Sequence, residues 1–125
     1  MKRNWDVVRE LLTKVEQCSK PGDAIQLSTF PTERSLEVSY HMELLIEAGL
    51  VVGHVSRTLG AGPHDFLAYR LTWNGHEFLD KIQNESIWQK TKKVFANKGV
   101  DMTFDLIKSV ATDAASSVLK GAIGG

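Results

Sequence analysis

One cysteine, Cys18, stands in 125 residues. No internal disulfide can form, and no cysteine-built metal cluster either. Nothing in that usage argues for an oxidising compartment. Net charge is lacking too, because fifteen basic residues cancel fifteen acidic ones. Proteins that live on nucleic acid usually carry surplus Lys and Arg, since phosphate neutralisation supplies much of the affinity. A neutral chain needs a local basic patch to do the same. No run of some eighteen apolar residues occurs, so no membrane-spanning helix is expected. The opening Met1-Lys2-Arg3-Asn4-Trp5-Asp6 has no uninterrupted apolar stretch behind its charges, which is unlike a signal peptide. A cytoplasmic protein is expected. Catalytic signatures are missing as well: no Gly-x-Ser-x-Gly elbow, no His-Glu-x-x-His pair, no phosphate-cradling glycine loop. Histidines 41, 54, 64 and 76 show no i, i+4 pair, and a structural zinc needs about four ligands. No enzymatic activity, metal or cofactor is expected.

What the chain does have is periodicity and punctuation. Hydrophobic residues make up 42 %, ordinary for a globular protein. A first helix is predicted over residues 4 to about 19, with Asn4 as N-cap and Asp6 in the first turn. Trp5, Val8, Leu12 and Val15 share a face, with Leu11 beside them. Lys20-Pro21-Gly22 turns the chain. Residues 23–27, with Ile25 and Leu27 alternating, read as a short edge strand that pairs with a later hairpin. Pro31 and a Thr32 cap predict a helix starting near residue 33.

The central stretch is Val38-Ser39-Tyr40-His41-Met42-Glu43-Leu44-Leu45-Ile46-Glu47-Ala48-Gly49-Leu50-Val51. Val38, Met42, Leu45 and Ile46 fall on one face at helical spacing. Gly49 can take the left-handed conformation that ends a helix, and Leu50-Val51 begins a strand. A β-ribbon is predicted from 51 to 58 and from 66 to 71. Gly60-Ala61-Gly62-Pro63-His64 is its turn. On the returning strand Phe66, Ala68 and Arg70 should face one side, and Leu67, Tyr69 and Leu71 the other. Thr72 should cap the next helix and Gly75 should let it approach the sheet closely, while Phe78, Leu79 and Ile82 enter the core. Asn84 caps a further helix whose Ile87, Trp88, Thr91, Val94 and Phe95 share a face, closed by Lys98-Gly99. Thr103 caps a last helix to about residue 120, with an apolar stripe from Phe104 through Ile107, Val110, Ala111, Ala114, Val118 and Leu119. Residues 121–125 should fray.

The central string resembles the recognition helix and first wing strand of winged-helix repressors such as the arsenic-repressor-like family, which commonly read Val-Ser-x-His-Leu-x-x-Leu-x-x-Ala-Gly-Leu-Val. The Leu71-Thr72-Trp73-Asn74-Gly75-His76-Glu77-Phe78-Leu79 block is similar to the exit from the wing in many of them. There is room for one helix, not two, between the edge strand and the central helix, so the usual bracing helix is missing or reduced to a turn. Four separated blocks resemble domain-of-unknown-function (DUF) family 2513: the opening hexapeptide, residues 40–50, residues 70–80 and the Ile87-Trp88 pair. That likeness runs over roughly residues 1 to 107 and implies a small winged-helix domain carried by mobile elements or their hosts. The expected architecture is therefore α+β, a winged helix with additional C-terminal helices. A winged-helix domain at 1–83 would carry a helical extension at 84–125.

The winged-helix likeness, with its recognition-helix string and its wing, implies a non-catalytic, DNA-binding regulator of phage, mobile-element or host-defence type, with double-stranded DNA as partner, whereas the likeness to DUF2513 brings no activity of its own. Arg34, Ser39, Tyr40, His41, Arg57 and His64 would contact DNA, or a protein partner instead. Lys90, Lys92 and Lys93, with Lys98, are candidate phosphate contacts, or simply the solvated face of their helix. Against DNA stand Glu33, Glu37, Glu43 and Glu47 along the central helix. Leu36, Tyr40 and Leu44 form a second apolar stripe there, and an apolar stripe rimmed by carboxylates suits a protein contact. An adaptor or inhibitor that binds protein rather than DNA is the alternative. The small residues of the last helix allow homodimerisation through it.

Overall fold

The computed structural model describes residues 1–57 and 62–124. Thr58 and positions 60–61, expected at the end of a strand and in the turn of the ribbon, lie outside the described residues. The elements run α1 (Trp5–Glu16), β1 (Ile25–Gln26), α2 (Ser35–Glu47), β2 (Val51–Ser56), β3 (Asp65–Leu71), α3 (Trp73–Ile82), α4 (Glu85–Lys98) and α5 (Phe104–Gly124). The result is a mixed α+β protein, compatible with a winged helix plus C-terminal helices. It divides into two units, Met1–His76 and Glu77–Gly125.

In the first unit an antiparallel sheet has the order β1-β3-β2. α1 begins where Asn4 Oδ1 accepts from the amides of Asp6 (2.9 Å) and Val7 (3.3 Å). It ends at Glu16, short of the expected 19. The Asp23 carboxylate accepts from the Ser19 and Lys20 amides and diverts the chain into a turn. Val7, Val8, Leu11, Leu12 and Val15 are buried, as are Val38, Met42 and Leu45 of α2.

Two short 3-10 turns, Leu27–Thr29 and Thr32–Arg34, separate β1 from α2. They occupy the place of the absent second helix. Thr32 is not a cap: its carbonyl accepts from the Ser35 amide, and α2 starts at Ser35 with no side-chain cap. α2 ends in a Schellman motif. The Leu50 amide donates to Leu45 O (3.0 Å) and the Gly49 amide to Ile46 O (3.1 Å), with Gly49 at φ +75°.

β2 pairs with β3 from Val51↔Leu71 to Ser56↔Asp65, and the register slips between Val52 and Gly53. Arg70 faces Val52 and Ala68 faces Gly53, so Tyr69 is the extra residue of a bulge. The bulge corrects the expected alternation. Phe66 and Ala68 point inward, but beyond Tyr69 the pattern flips, leaving Arg70 exposed and Leu71 buried.

Thr72 starts α3 as expected. Its hydroxyl accepts from the Gly75 amide (3.0 Å) and donates to Gly49 O (2.6 Å). A side chain at Gly75 would run into the Leu50 carbonyl, so glycine lets α3 leave the sheet at close range.

In the second unit Phe78 stacks on Phe104 at 4.5 Å. Asn84 caps α4 by accepting from the Ile87 amide (3.0 Å), and Gly99 at φ +64° closes it. Trp88, Thr91 and Phe95 of α4 and Ile107 and Ala111 of α5 are buried. Val94, expected on that buried face, is exposed. α5 continues to Gly124, so residues 121–124 are helical rather than frayed. At about 1.5 Å per residue α5 is roughly 30 Å long and α4 roughly 20 Å. α5 therefore outruns its neighbour, and Val118 and Leu119 are left exposed.

Candidate contact surface

α2, the turn before it and the turn end of the β2–β3 ribbon hold most of the residues expected to touch a partner. The structure turns several of them inward. The Arg34 guanidinium grips Glu10 with two parallel bonds, Nη1–Oε2 and Nη2–Oε1, both 2.8 Å. The same group bonds Glu37 Oε1 at 2.8 Å from Nη2 and 3.2 Å from Nε. This arrangement joins α1 to the start of α2. Hydrogen bonding from Arg34 holds the Glu10 carboxyl below its ordinary value.

His41 is 1 % exposed. The Asn4 amide donates to its Nε2 at 2.8 Å. Its Nδ1 lies 2.7 Å from Glu37 O. Because Nε2 must accept, the ring proton sits on Nδ1 and is donated to that carbonyl. His41 is thus a buried clasp between the start of α1 and the middle of α2, not a side chain offered to DNA. Ser39 is buried as well. Its hydroxyl donates to His64 O (2.8 Å) and accepts from the His64 amide (2.9 Å), which pins the returning end of the ribbon to α2. The expected contact roles of Ser39 and His41 are therefore corrected, since neither side chain reaches the surface. His64 is half-buried, with its backbone committed to Ser39.

Arg57 is exposed but pairs with Glu43 at 2.6 Å. Tyr40 is half-buried, its ring edge-on to His41. Leu36 is 57 % exposed, Leu44 half-buried, and Glu33 and Glu47 exposed. The outer part of α2 thus combines apolar side chains with three carboxylates, Glu33 of the preceding turn adding a fourth, and Arg34 and Arg57 beside it each already hold a carboxylate.

Sequence reasoning missed Trp73. It is 78 % exposed and opens α3, where Thr72 is bonded to the end of α2. A signal was available: Phe78, Leu79 and Ile82 lie roughly 120–180° around the helix from it.

The lysines of α4 lie elsewhere, in the second unit. Lys90, Lys93 and Lys98 are exposed, whereas Lys92 lies over the Trp88 ring at 5.5 Å. Cys18 has no activated thiol. Burial first, and Asp23 second, push its thiol up, opposite to what a nucleophile needs. Among the described residues no three His, Cys, Asp or Glu side chains could hold a metal ion, and no helix is long and apolar enough to cross a membrane.

A family model described as "Hypothetical protein (DUF2513)" matches residues 2–101. A protein of Haemophilus influenzae (strain Rd), named "Uncharacterized protein", is 39 % identical over 119 residues, covering 95 % of this chain and 99 % of that one. No solved structure matches. Neither description names an activity.

Proposed function

We propose that this chain, which belongs to the DUF2513 family, is a non-catalytic module that binds a protein partner through the outer face of α2. The observation that carries the reading is the state of the two arginines there. Arg34 is held by Glu10 and Glu37, and Arg57 by Glu43. A phosphate backbone approaching α2 would meet Glu33, Glu37, Glu43 and Glu47 and would have to break these pairs to find a cation. A protein with an apolar centre and a basic rim meets the opposite situation. It buries Leu36 and the rim of Tyr40, and its cations face Glu33 and Glu47, whose carboxylates neither arginine holds. Trp73, a residue type enriched at binding hot spots, opens α3, next to Thr72, which is bonded to Gly49 just past the end of α2.

Photo-crosslinking tests this. A photoreactive residue at Leu36 or at Trp73 should capture one and the same protein, and Leu36→Glu should abolish capture from Trp73. A photoreactive residue at the exposed Gln89 of α4 should not capture it. A fluorescence-anisotropy salt titration with generic duplex is the counter-test. Tight binding at low salt that falls steeply with added salt, and that weakens in Arg34→Ala or Arg57→Ala, would overturn the proposal.

A second reading, a DNA-binding regulator of mobile-element or host-defence type, has one observation in its favour. α4 carries four lysines against a single acid, Glu85. On that reading duplex affinity drops in Lys90→Ala and Lys93→Ala and is indifferent to Arg57→Ala.

A further inference from the structure

The second unit has a surface that the proposed α2 contact does not use. A groove of about 340 Å³ runs between α4 and α5, lined by Lys90 and Val94 on one wall and Val110, Asp113, Ala114 and Ser117 on the other. Its apolar side chains are open to water: Val94 is 42 % exposed, and Val118, one residue past the groove lining, is 41 % exposed. The groove also carries one cation and one anion on opposite walls. Neither Lys90 nor Asp113 has an ion pair or hydrogen-bond partner among the described residues.

We propose that this groove is where a second copy of the chain docks, Lys90 of each copy meeting Asp113 of the other. The charge pattern selects the occupant. A two-fold axis maps a surface onto itself, so a face with one cation and one anion on opposite walls becomes its own complement. Two ion pairs then form for one docking event, flanking a strip where Val94 and Val110 lose water. Ala114, small and half-buried on α5, lets a helix approach closely. A generic acidic or basic partner would satisfy one of the two charges and leave the other opposed. The interface is short, so the dimer is of the weak, concentration-dependent kind.

Sedimentation of the full-length chain, from low micromolar to near-millimolar concentration, tests this. The wild-type mass should rise from monomer toward dimer, and less so at high salt. Lys90→Asp alone and Asp113→Lys alone each turn both pairs into like-charge contacts and should weaken the dimer by about tenfold or more. An equimolar mixture of the two variants should dimerise again. In each mixed dimer the introduced aspartate faces the introduced lysine, and the remaining Lys90 faces the remaining Asp113. Pairing of Lys90 with Asp113 inside one chain would not produce that rescue. Both positions are at the surface, and circular dichroism checks that the variants are folded. A wild type that stays monomeric throughout, single variants that dimerise as the wild type does, or a mixture that stays monomeric would each overturn the proposal.

Discussion

Replacing His41 by phenylalanine separates a structural clasp from a contact residue. The phenyl ring fills nearly the space of the imidazole, so little cavity forms, but both ring nitrogens go. The Glu37 carbonyl keeps its helical bond from the residue 41 amide and loses little. The Asn4 amide loses its acceptor, at the point where α1 is tied to α2. An unsatisfied, partly buried donor costs about 1–3 kcal/mol. His41→Ala adds a cavity, for a total of about 2–5 kcal/mol, so the difference between the two variants isolates the packing share. Urea unfolding followed by far-ultraviolet circular dichroism, with every tryptophan left in place, reads the loss. With a slope of about 1–3 kcal/mol per molar, the His41→Phe midpoint should fall by roughly 1 M. Amide exchange at Asn4 should accelerate in parallel. A surface residue would instead change stability by no more than about 0.5 kcal/mol. An unchanged midpoint together with unchanged Asn4 exchange would refute the clasp and return His41 to the contact candidates.

Two further outcomes follow from the same unit. Gly75→Ala should cost about 1–3 kcal/mol, because α3 must shift to clear the Leu50 carbonyl; thermal unfolding checks it, and an unchanged melting temperature would mean that α3 has slack the structure does not show. Glu10 has a carboxyl held below its ordinary value of 4.5, chiefly by hydrogen bonding from Arg34. A depressed folded value stabilises above the unfolded value, and that share disappears as pH falls through the folded one. Stability should therefore decline on acidification below 4.5, while Glu10→Gln should be less stable near neutrality and flatter against pH. The pair is about one-third exposed, so water screens part of the effect. Parallel pH profiles of the two proteins would contradict the assignment.

The sequence by itself determined the caps at Asn4, Thr72, Asn84 and Thr103, the glycine ends of α2 and α4, and the presence of the three strands. Asn4, Thr72, Asn84 and Thr103 act on amides two or three positions away, and α2 ends where the Gly49 amide bonds Ile46 O and the Leu50 amide bonds Leu45 O. Such interactions close within a few residues, so spacing alone predicts them. The short bridge between β1 and α2 was legible too, because too few residues lie there for a second helix. What only the tertiary structure decided was the fate of polar side chains whose partners are remote. His41 finds Asn4 thirty-seven positions away, Ser39 finds His64 twenty-five away, and Arg34 finds Glu10 twenty-four away. A helical wheel gives each a direction but not what waits there, so three polar residues that read as a recognition surface became internal fastenings. The bulge at Tyr69 and the exposure of Val94 have the same origin. One depends on the register of a neighbouring strand and the other on where α5 crosses α4, and neither is written in the spacing of residues along the chain.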